Sequence, residues 1–158
     1  MNKRWSRALL AGTLSLAVAG GAVAQMSVEN QIKTRQSAYT FAAWNMENIR
    51  AQVIDGNVPF DPAQVQAAAN AIAAVANSGM GALYGPGTAQ GVGWKQTRLD
   101  PKFFDEPERV RDIAIRFITE ANKLQEVAAT GDRRAIARQF GEVGQACRAC
   151  HTNYRLPE

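Results

Sequence analysis

Along four separate stretches of this 158-residue chain, mostly apolar positions recur every three or four residues, and this spacing restricts the possible fold more than any other feature. The spacing is that of one face of an α-helix, so it predicts four amphipathic helices that pack through these faces. The four series are Val28, Ile32, Arg35, Tyr39, Ala42, Met46, Ile49 and Val53; Val65, Ala69, Ile72 and Ala76; Val110, Ala114, Phe117, Ala121, Leu124 and Ala128; and Ile136, Phe140, Val143, Cys147, Cys150 and Tyr154. No alternating β-branched run of useful length competes with them. The sequence therefore predicts an all-α protein.

The connections between these stretches predict how the helices are arranged. Asp61 and Pro62 are typical of an N-cap and a first helical position, Gly131 of a helix end, and Asp132 of the start of the last helix. Two connections are short, and the one between the second and third helices is long and glycine-rich. This pattern indicates an up-down-up-down antiparallel four-helix bundle. Because many core positions are alanine, such a core would lack bulk unless another group filled it.

The first 24 residues are typical of a removable Sec-type export signal. Three basic residues, Lys3, Arg4 and Arg7, precede a short apolar run that ends in the small residues Ala-Val-Ala at 22–24. A membrane anchor is the alternative, but the run is shorter than a typical span and rich in glycine. We expect cleavage, one domain over residues 25–158, a periplasmic location and no stable membrane insertion afterwards. Without the leader, 15 basic residues face 14 acidic ones, so the charge does not favour a nucleic-acid partner.

The sequence Cys-Arg-Ala-Cys-His at 147–151 contains both cysteines and the only histidine of the chain. A thioredoxin-type redox pair would lie where a strand enters a helix, which an all-helical chain does not offer. A structural zinc site needs four ligands, and Cys147, Cys150 and His151 supply three. A disulfide within one helix is awkward and leaves the histidine unexplained. The motif therefore indicates one covalent haem c per chain, with thioethers at Cys147 and Cys150 and iron ligation by His151.

Three stretches together resemble the cytochrome c′ family, the class II c-type cytochromes. They are GEVGQACRACHTNYR at the end of the chain, IKTRQSAYTF in the first helix and ALYGPGT in the long connection. The resemblance covers essentially all of residues 26–156. It implies a bundle with covalent haem c near one end, and often a homodimer formed through the first two helices. It also implies a role in binding NO, with protection from nitrosative stress.

Antiparallel helices suggest what faces the haem. We expect His151 about six residues from the end of its helix, level with Arg35 to Tyr39 in the first helix. An arginine in an apolar series is costly unless it is paired, and a haem propionate would provide an anionic partner for Arg35; the alternative is a side chain that reaches water from near the helix start. Gln36 is assigned to the same propionate side, with a solvated surface position as the alternative. Tyr39 is expected over the distal face, where low-spin relatives carry a methionine ligand.

The sixth ligand position is expected to be vacant, giving five-coordinate, high-spin iron. Met80 is the main rival for it, because we expect it at the end of the second helix and so at the haem end. From the resemblance, Arg155 is assigned to the proximal side of the haem, and Thr97 and Arg98 to a propionate. Arg155 could instead complement the helix terminus.

These expectations predict a non-enzymatic haem protein that binds NO and CO and exchanges electrons with an unidentified redox partner. One alternative is a low-spin electron carrier in which Met80 fills the sixth site. A peroxidase is less favoured, because such enzymes place a second basic side chain over the iron and the chain has no second histidine. A helical adaptor without haem, stabilised by a disulfide, is a further alternative.

Overall fold

A computed structural model describes residues 26–157, and these residues form four α-helices in an antiparallel bundle. The helices are α1 (Val28–Val53), α2 (Pro62–Asn77), α3 (Pro107–Ala128) and α4 (Arg133–Tyr154). Between 26 and 157 there are no β-strands, only two isolated bridges: one within the connection before α3, and one that joins this connection to Arg155 after α4. The predicted bundle is therefore confirmed, whereas the predicted leader at residues 1–24 lies outside the described residues. None of the described helices has the length and apolar character needed to cross a membrane.

Local capping explains where α2 and α4 begin. The Asp61 carboxylate accepts hydrogen bonds from two backbone N–H groups of the first turn of α2, at 2.9 and 3.1 Å, and Pro62 follows it. The Asp132 carboxylate does the same for α4, also at 2.9 and 3.1 Å. Each aspartate satisfies N–H groups that have no partner within the helix. Both N-caps were predicted from the sequence.

The packed core occupies the part of the bundle away from the Cys-x-x-Cys-His motif. Its buried members on α4 are Ile136 and Val143, and Cys147 is only half-buried at its edge. The other buried members of this cluster are Ile49, Val53, Val65, Ala68, Ala69, Ile72, Ala76, Ala121, Leu124 and Ala128. Small alanines let these helices approach closely. The core therefore stabilises one end of the bundle and leaves the motif end to be organised by other contacts.

The long connection between α2 and α3 is fastened to α1 by two glutamine side chains. Gln31 accepts a hydrogen bond from the Gly85 N–H at 2.9 Å. Gln36 donates to the Lys95 carbonyl at 2.9 Å and accepts from the Trp94 N–H at 2.8 Å. Because each amide satisfies backbone groups of the connection, these contacts hold it across the outside of α1.

The same connection is also tied to the end of α4. The Asp100 N–H donates to the Tyr154 carbonyl at 3.0 Å, and the Leu156 N–H donates to the Arg98 carbonyl at 2.8 Å. α4 ends at Tyr154, three residues after His151, so the expectation of about six residues was wrong. The chain leaves the helix early because the residues after Tyr154 pair with the connection instead of continuing the helix.

Replacing Gly93 by alanine should weaken the attachment of this connection to α1. A Cβ at Gly93 would lie 2.7 Å from Ile32 Cγ2 and 2.8 Å from the backbone nitrogen of Lys33, neither of which can move away freely. Such overpacking costs about 1–3 kcal/mol, so thermal unfolding should show a lower midpoint. Gly81→Ala is the matched control, because its Cβ would meet nothing within 4 Å. Equal midpoints for both variants would contradict the packing described here.

Candidate haem site

The motif residues lie in the last two turns of α4. Cys147 and Cys150 are three positions apart, so both thiols lie on the same face of the helix. Both are half-buried and neither forms a disulfide. His151 follows directly and is exposed. This arrangement has the spacing that covalent attachment of haem c requires, with two thiols and an adjacent imidazole on one helix.

The surroundings of the motif shift the pKa of its thiols and of its imidazole in opposite directions. Burial raises the pKa of the Cys147 and Cys150 thiols, so both are held in the un-ionised form. Although His151 is exposed, partial desolvation of its ring lowers its pKa, and the charges of Arg155 and Arg98 lower it further. A neutral imidazole is the form that binds metals. Nowhere in residues 26–157 do three or more histidine, cysteine or acidic side chains come together as a zinc site would need.

Tyr39 lies on α1, which packs against α4. Its phenol is near enough to the motif for electrostatic interaction with Cys150 and Cys147. Desolvation raises the pKa of Tyr39, although 37% of the residue remains exposed. The Tyr84 hydroxyl donates a hydrogen bond to the Tyr39 hydroxyl at 3.1 Å. The side chain opposite the cysteines is thus a neutral phenol that already has a partner.

Arg35 is buried one turn before Tyr39 and is only 5% exposed. Its guanidinium donates to the carbonyls of Leu83 at 3.3 Å and Thr88 at 2.6 Å, and to the hydroxyl of Thr97 at 2.7 Å. All three acceptors are neutral. Desolvation accordingly lowers the pKa of Arg35.

A buried cation without an anion is costly, and this cost is informative about the site. Within residues 26–157, Arg35 forms no ion pair with a carboxylate. A haem propionate would supply the missing negative charge in a geometry that a guanidinium binds well. The residues therefore fit a haem with a propionate near Arg35.

The other residues assigned from the sequence have contacts of their own. Thr97 is buried beside Arg35 and its hydroxyl accepts a hydrogen bond from the guanidinium, while its propionate assignment stays a prediction. Gln36 has both ends of its amide occupied by the connection, and its propionate assignment stays a prediction. Arg98 donates to the Leu156 carbonyl at 2.7 Å and lies near His151. Arg155 is the extended C-cap residue of α4, and its charge acts on His151.

Met80 was expected at the end of α2, but that helix ends at Asn77. Met80 instead begins a short 3₁₀ helix, Met80–Leu83. Its side chain is half-buried. The preceding Gly79 has a φ of +74°, a left-handed conformation that breaks the chain direction between α2 and this turn. The proposed alternative ligand is therefore separated from α2 by a change of direction.

Sequence reasoning missed the aromatic cluster beside the site. Tyr84 stacks on Phe103 with ring centroids 4.6 Å apart, and Phe103 meets Tyr154 edge-on at 5.6 Å. The Tyr154 hydroxyl donates to the Glu106 carboxylate at 2.7 Å. Tyr84 and Phe103 lie in the connection, which has no helical periodicity to indicate which residues face inward. Their aromatic character within a glycine-rich segment was the available signal.

Several positions that the helical pattern assigns to the core are not covered at this end of the bundle. Val110, Phe117 and Cys147 are half-buried, and Ala114 is exposed. These residues belong to α3 and α4, so apolar surface from both helices lies open near the motif. A flat apolar group such as a porphyrin would cover this surface, which agrees with the expectation that the alanine-rich core needs additional bulk.

Comparison with known proteins gives one family. The family model described as cytochrome C′ matches residues 30–155. Cytochrome c′ from Allochromatium vinosum is 52% identical over 146 residues, which cover 92% of this chain and 93% of the relative.

Solved structures agree in fold. A cytochrome c′ reported to show unusual ligand-controlled dimer dissociation superposes with a TM-score of 0.79 at 52% identity, covering 84% of this chain and 98% of the other. Cytochrome c′ from Alcaligenes xylosoxidans has been solved as variants with bound NO, at a TM-score of 0.72, and with bound carbon monoxide, at 0.73. Both are 29% identical to this chain, covering 83% of it and 98% of the other.

The fold, the Cys-x-x-Cys-His motif and the matched range lead to the same assignment. Cytochromes c′ bind haem c covalently, and the two thiols this needs are present on α4. The match extends from the first turn of α1 to the residue after α4. The chain belongs to the cytochrome c′ family.

Proposed function

We propose that the protein is a periplasmic haem c protein with five-coordinate, high-spin iron that binds NO and CO. His151 holds the iron on one side, while Cys147 and Cys150 fix the haem to α4. The bound haem supplies the iron centre for gas binding and electron exchange. The protein acts by reversible binding and electron transfer with a redox partner not yet identified, and not as an enzyme. The predicted leader supports the periplasmic location.

The observation that carries this proposal is the identity of the side chain facing the cysteines from α1. That side chain is Tyr39, whose phenol is neutral and hydrogen-bonded to Tyr84. A neutral phenol is a poor ligand for ferrous iron, and the chain has no second histidine. Met46 packs against the core cluster, and the Met26 sulfur accepts a hydrogen bond from the Thr34 hydroxyl, so Met80 is the rival ligand among residues 26–157.

The surroundings of Tyr39 favour small neutral ligands. Desolvation raises the pKa of both Tyr39 and Tyr84, so the two phenols are neutral at pH 7. An anion entering such a region would lose hydration that neutral side chains cannot replace, whereas NO and CO lose little. The NO and CO complexes of the Alcaligenes relative support the same ligand class.

Optical spectra of the reduced, haem-loaded protein should change on addition of CO. A vacant sixth site gives a broad high-spin spectrum before addition and a CO complex afterwards. Cyanide and azide at neutral pH should bind far more weakly than NO. Met80→Leu is the discriminating variant, because it should leave the spectrum unchanged. A sharp low-spin spectrum that becomes high-spin in Met80→Leu would establish the electron-carrier alternative instead.

We also propose that Arg35 pairs with a haem propionate and that Thr97 orients its guanidinium. The support is the burial of a cation whose present acceptors are all neutral. A positive charge near the haem favours the reduced state, which carries one positive charge fewer. Arg35 therefore raises the reduction potential.

Arg35→Leu should lower the reduction potential by tens of millivolts. A unit charge about 8–16 Å from a redox centre contributes about 1–2 kcal/mol at an effective dielectric constant near 20, which is about 45–90 mV for one electron. Spectroelectrochemical titration measures the change. Arg138→Leu, which removes an exposed arginine of α4, is the control and should leave the potential within error of the wild type. A potential unaffected by Arg35→Leu would exclude the propionate role.

Homodimer formation through α1 and α2 is the proposed assembly. Phe41 and Trp44 are 50% and 59% exposed on α1, and their rings stack with centroids 5.9 Å apart. They line a groove between the two helices, together with Val58, Ala67, Ala68 and Ala71. Large exposed aromatic residues next to small ones are typical of a contact surface. A solved cytochrome c′ that is 52% identical to this chain is reported to show ligand-controlled dimer dissociation.

Trp44→Glu should convert the dimer to a monomer in light scattering coupled to size exclusion. The carboxylate would be desolvated in the interface without a partner, which strongly disfavours association. Ile115→Glu, at a 48% exposed position of α3, is the matched control and should remain dimeric. A wild-type protein that is monomeric at all concentrations tested, or a dimeric Trp44→Glu variant, would show that this surface is not the interface.

A further inference from the structure

We propose that Tyr84 is a positioning residue that holds Tyr39 across the gas-binding face and thereby slows ligand entry. This inference rests on the proposed function, because it assigns a second residue to control of the same site. It concerns the hydrogen bond between the two hydroxyl groups and not the packing of the rings.

The first support is the contact between the two phenols. The Tyr84 hydroxyl donates to the Tyr39 hydroxyl at 3.1 Å, and the two residues are 45 positions apart in sequence. Desolvation raises the pKa of each phenol, so both stay protonated at neutral pH. Two protonated phenols at this separation can keep the hydrogen bond at neutral pH.

The second support is that Tyr84 is itself held on several sides. The Arg35 guanidinium lies over its ring at 4.8 Å from the centroid, and the Phe103 ring stacks on it at 4.6 Å with an interplanar angle of 19°. Its backbone N–H donates to the Gly81 carbonyl at 3.2 Å. A ring fixed by a cation, an aromatic neighbour and its own backbone is a rigid support for the Tyr39 hydroxyl.

The third step is the consequence for ligand entry. In the proposed function Tyr39 covers the distal face from α1, the helix that packs beside α4, so a gas that approaches the iron from that side must displace the phenol. Displacement separates the two hydroxyl groups, and the hydrogen bond is lost in the transition to the bound state. The energy of one such bond corresponds to a rate factor of about two to ten. Its loss should affect association, while dissociation from a state in which the bond is already broken should not change.

The test is CO binding to the reduced, haem-loaded protein, measured by stopped-flow and flash photolysis. We expect Tyr84→Phe to raise the association rate about two- to tenfold and to leave the dissociation rate unchanged. This variant keeps the ring that packs on Phe103 and Arg35. Tyr39→Phe should give the same increase, and the double variant should add nothing further, because each substitution removes the same bond. Tyr154→Phe is the control, since it removes a phenol hydroxyl that donates to Glu106 and should leave association unchanged.

A crystal structure of the haem-loaded wild-type protein provides a readout independent of binding. The two hydroxyl oxygens should remain within hydrogen-bonding distance. Oxygens that have separated, a Tyr84→Phe rate equal to that of the wild type, or single-variant effects that multiply in the double variant would each overturn the role of Tyr84. Failure of the wild type to bind CO would instead refute the proposed function, and this inference with it. The two failures are thus distinguishable in one set of measurements.

Discussion

The buried guanidinium of Arg35 is the contact on which the geometry of the haem end depends. It joins α1 to three separate points of the connection between α2 and α3, at Leu83, Thr88 and Thr97. Neutral acceptors alone do not compensate a desolvated cation, so the cluster has a remaining demand for negative charge. A haem propionate would meet that demand. Folding of the connection and binding of the haem would then stabilise each other through one side chain.

This dependence explains why the two ends of the bundle are built differently. One end is a close-packed core of aliphatic residues and alanine. The other end has half-buried apolar positions on α3 and α4, while polar side chains of α1 hold a glycine-rich connection in place. A rigid bundle thus carries a site whose apolar surface is completed by a covalently bound group. The division is typical of cofactor sites placed between helices.

The sequence predicted the helices and the motif well, because both depend on local spacing. Apolar periodicity located all four helices, and the N-caps Asp61 and Asp132 begin α2 and α4 as expected. The end of α4 was misplaced, because the chain stops where Tyr154 and Leu156 pair with a connection that is distant in sequence. The contacts of Gln36 show the same limit, because its amide binds backbone groups 58 and 59 positions away, and no local pattern could indicate them. The contact of Tyr84 with Tyr39 was missed for the same reason. It depends on where the irregular connection crosses α1, which no local sequence pattern indicates.

The distribution of aromatic side chains separates two regions of the molecule. All three tyrosines lie in one chain of contacts beside the haem site: Tyr39 bonds to Tyr84, and Phe103 links Tyr84 to Tyr154. The tryptophans after the predicted leader, Trp44 and Trp94, are exposed along the outside of α1. Tyrosine and tryptophan signals in near-ultraviolet spectroscopy therefore arise from different places. One unlabelled sample can distinguish loosening of the haem end from a change on the outer surface of α1.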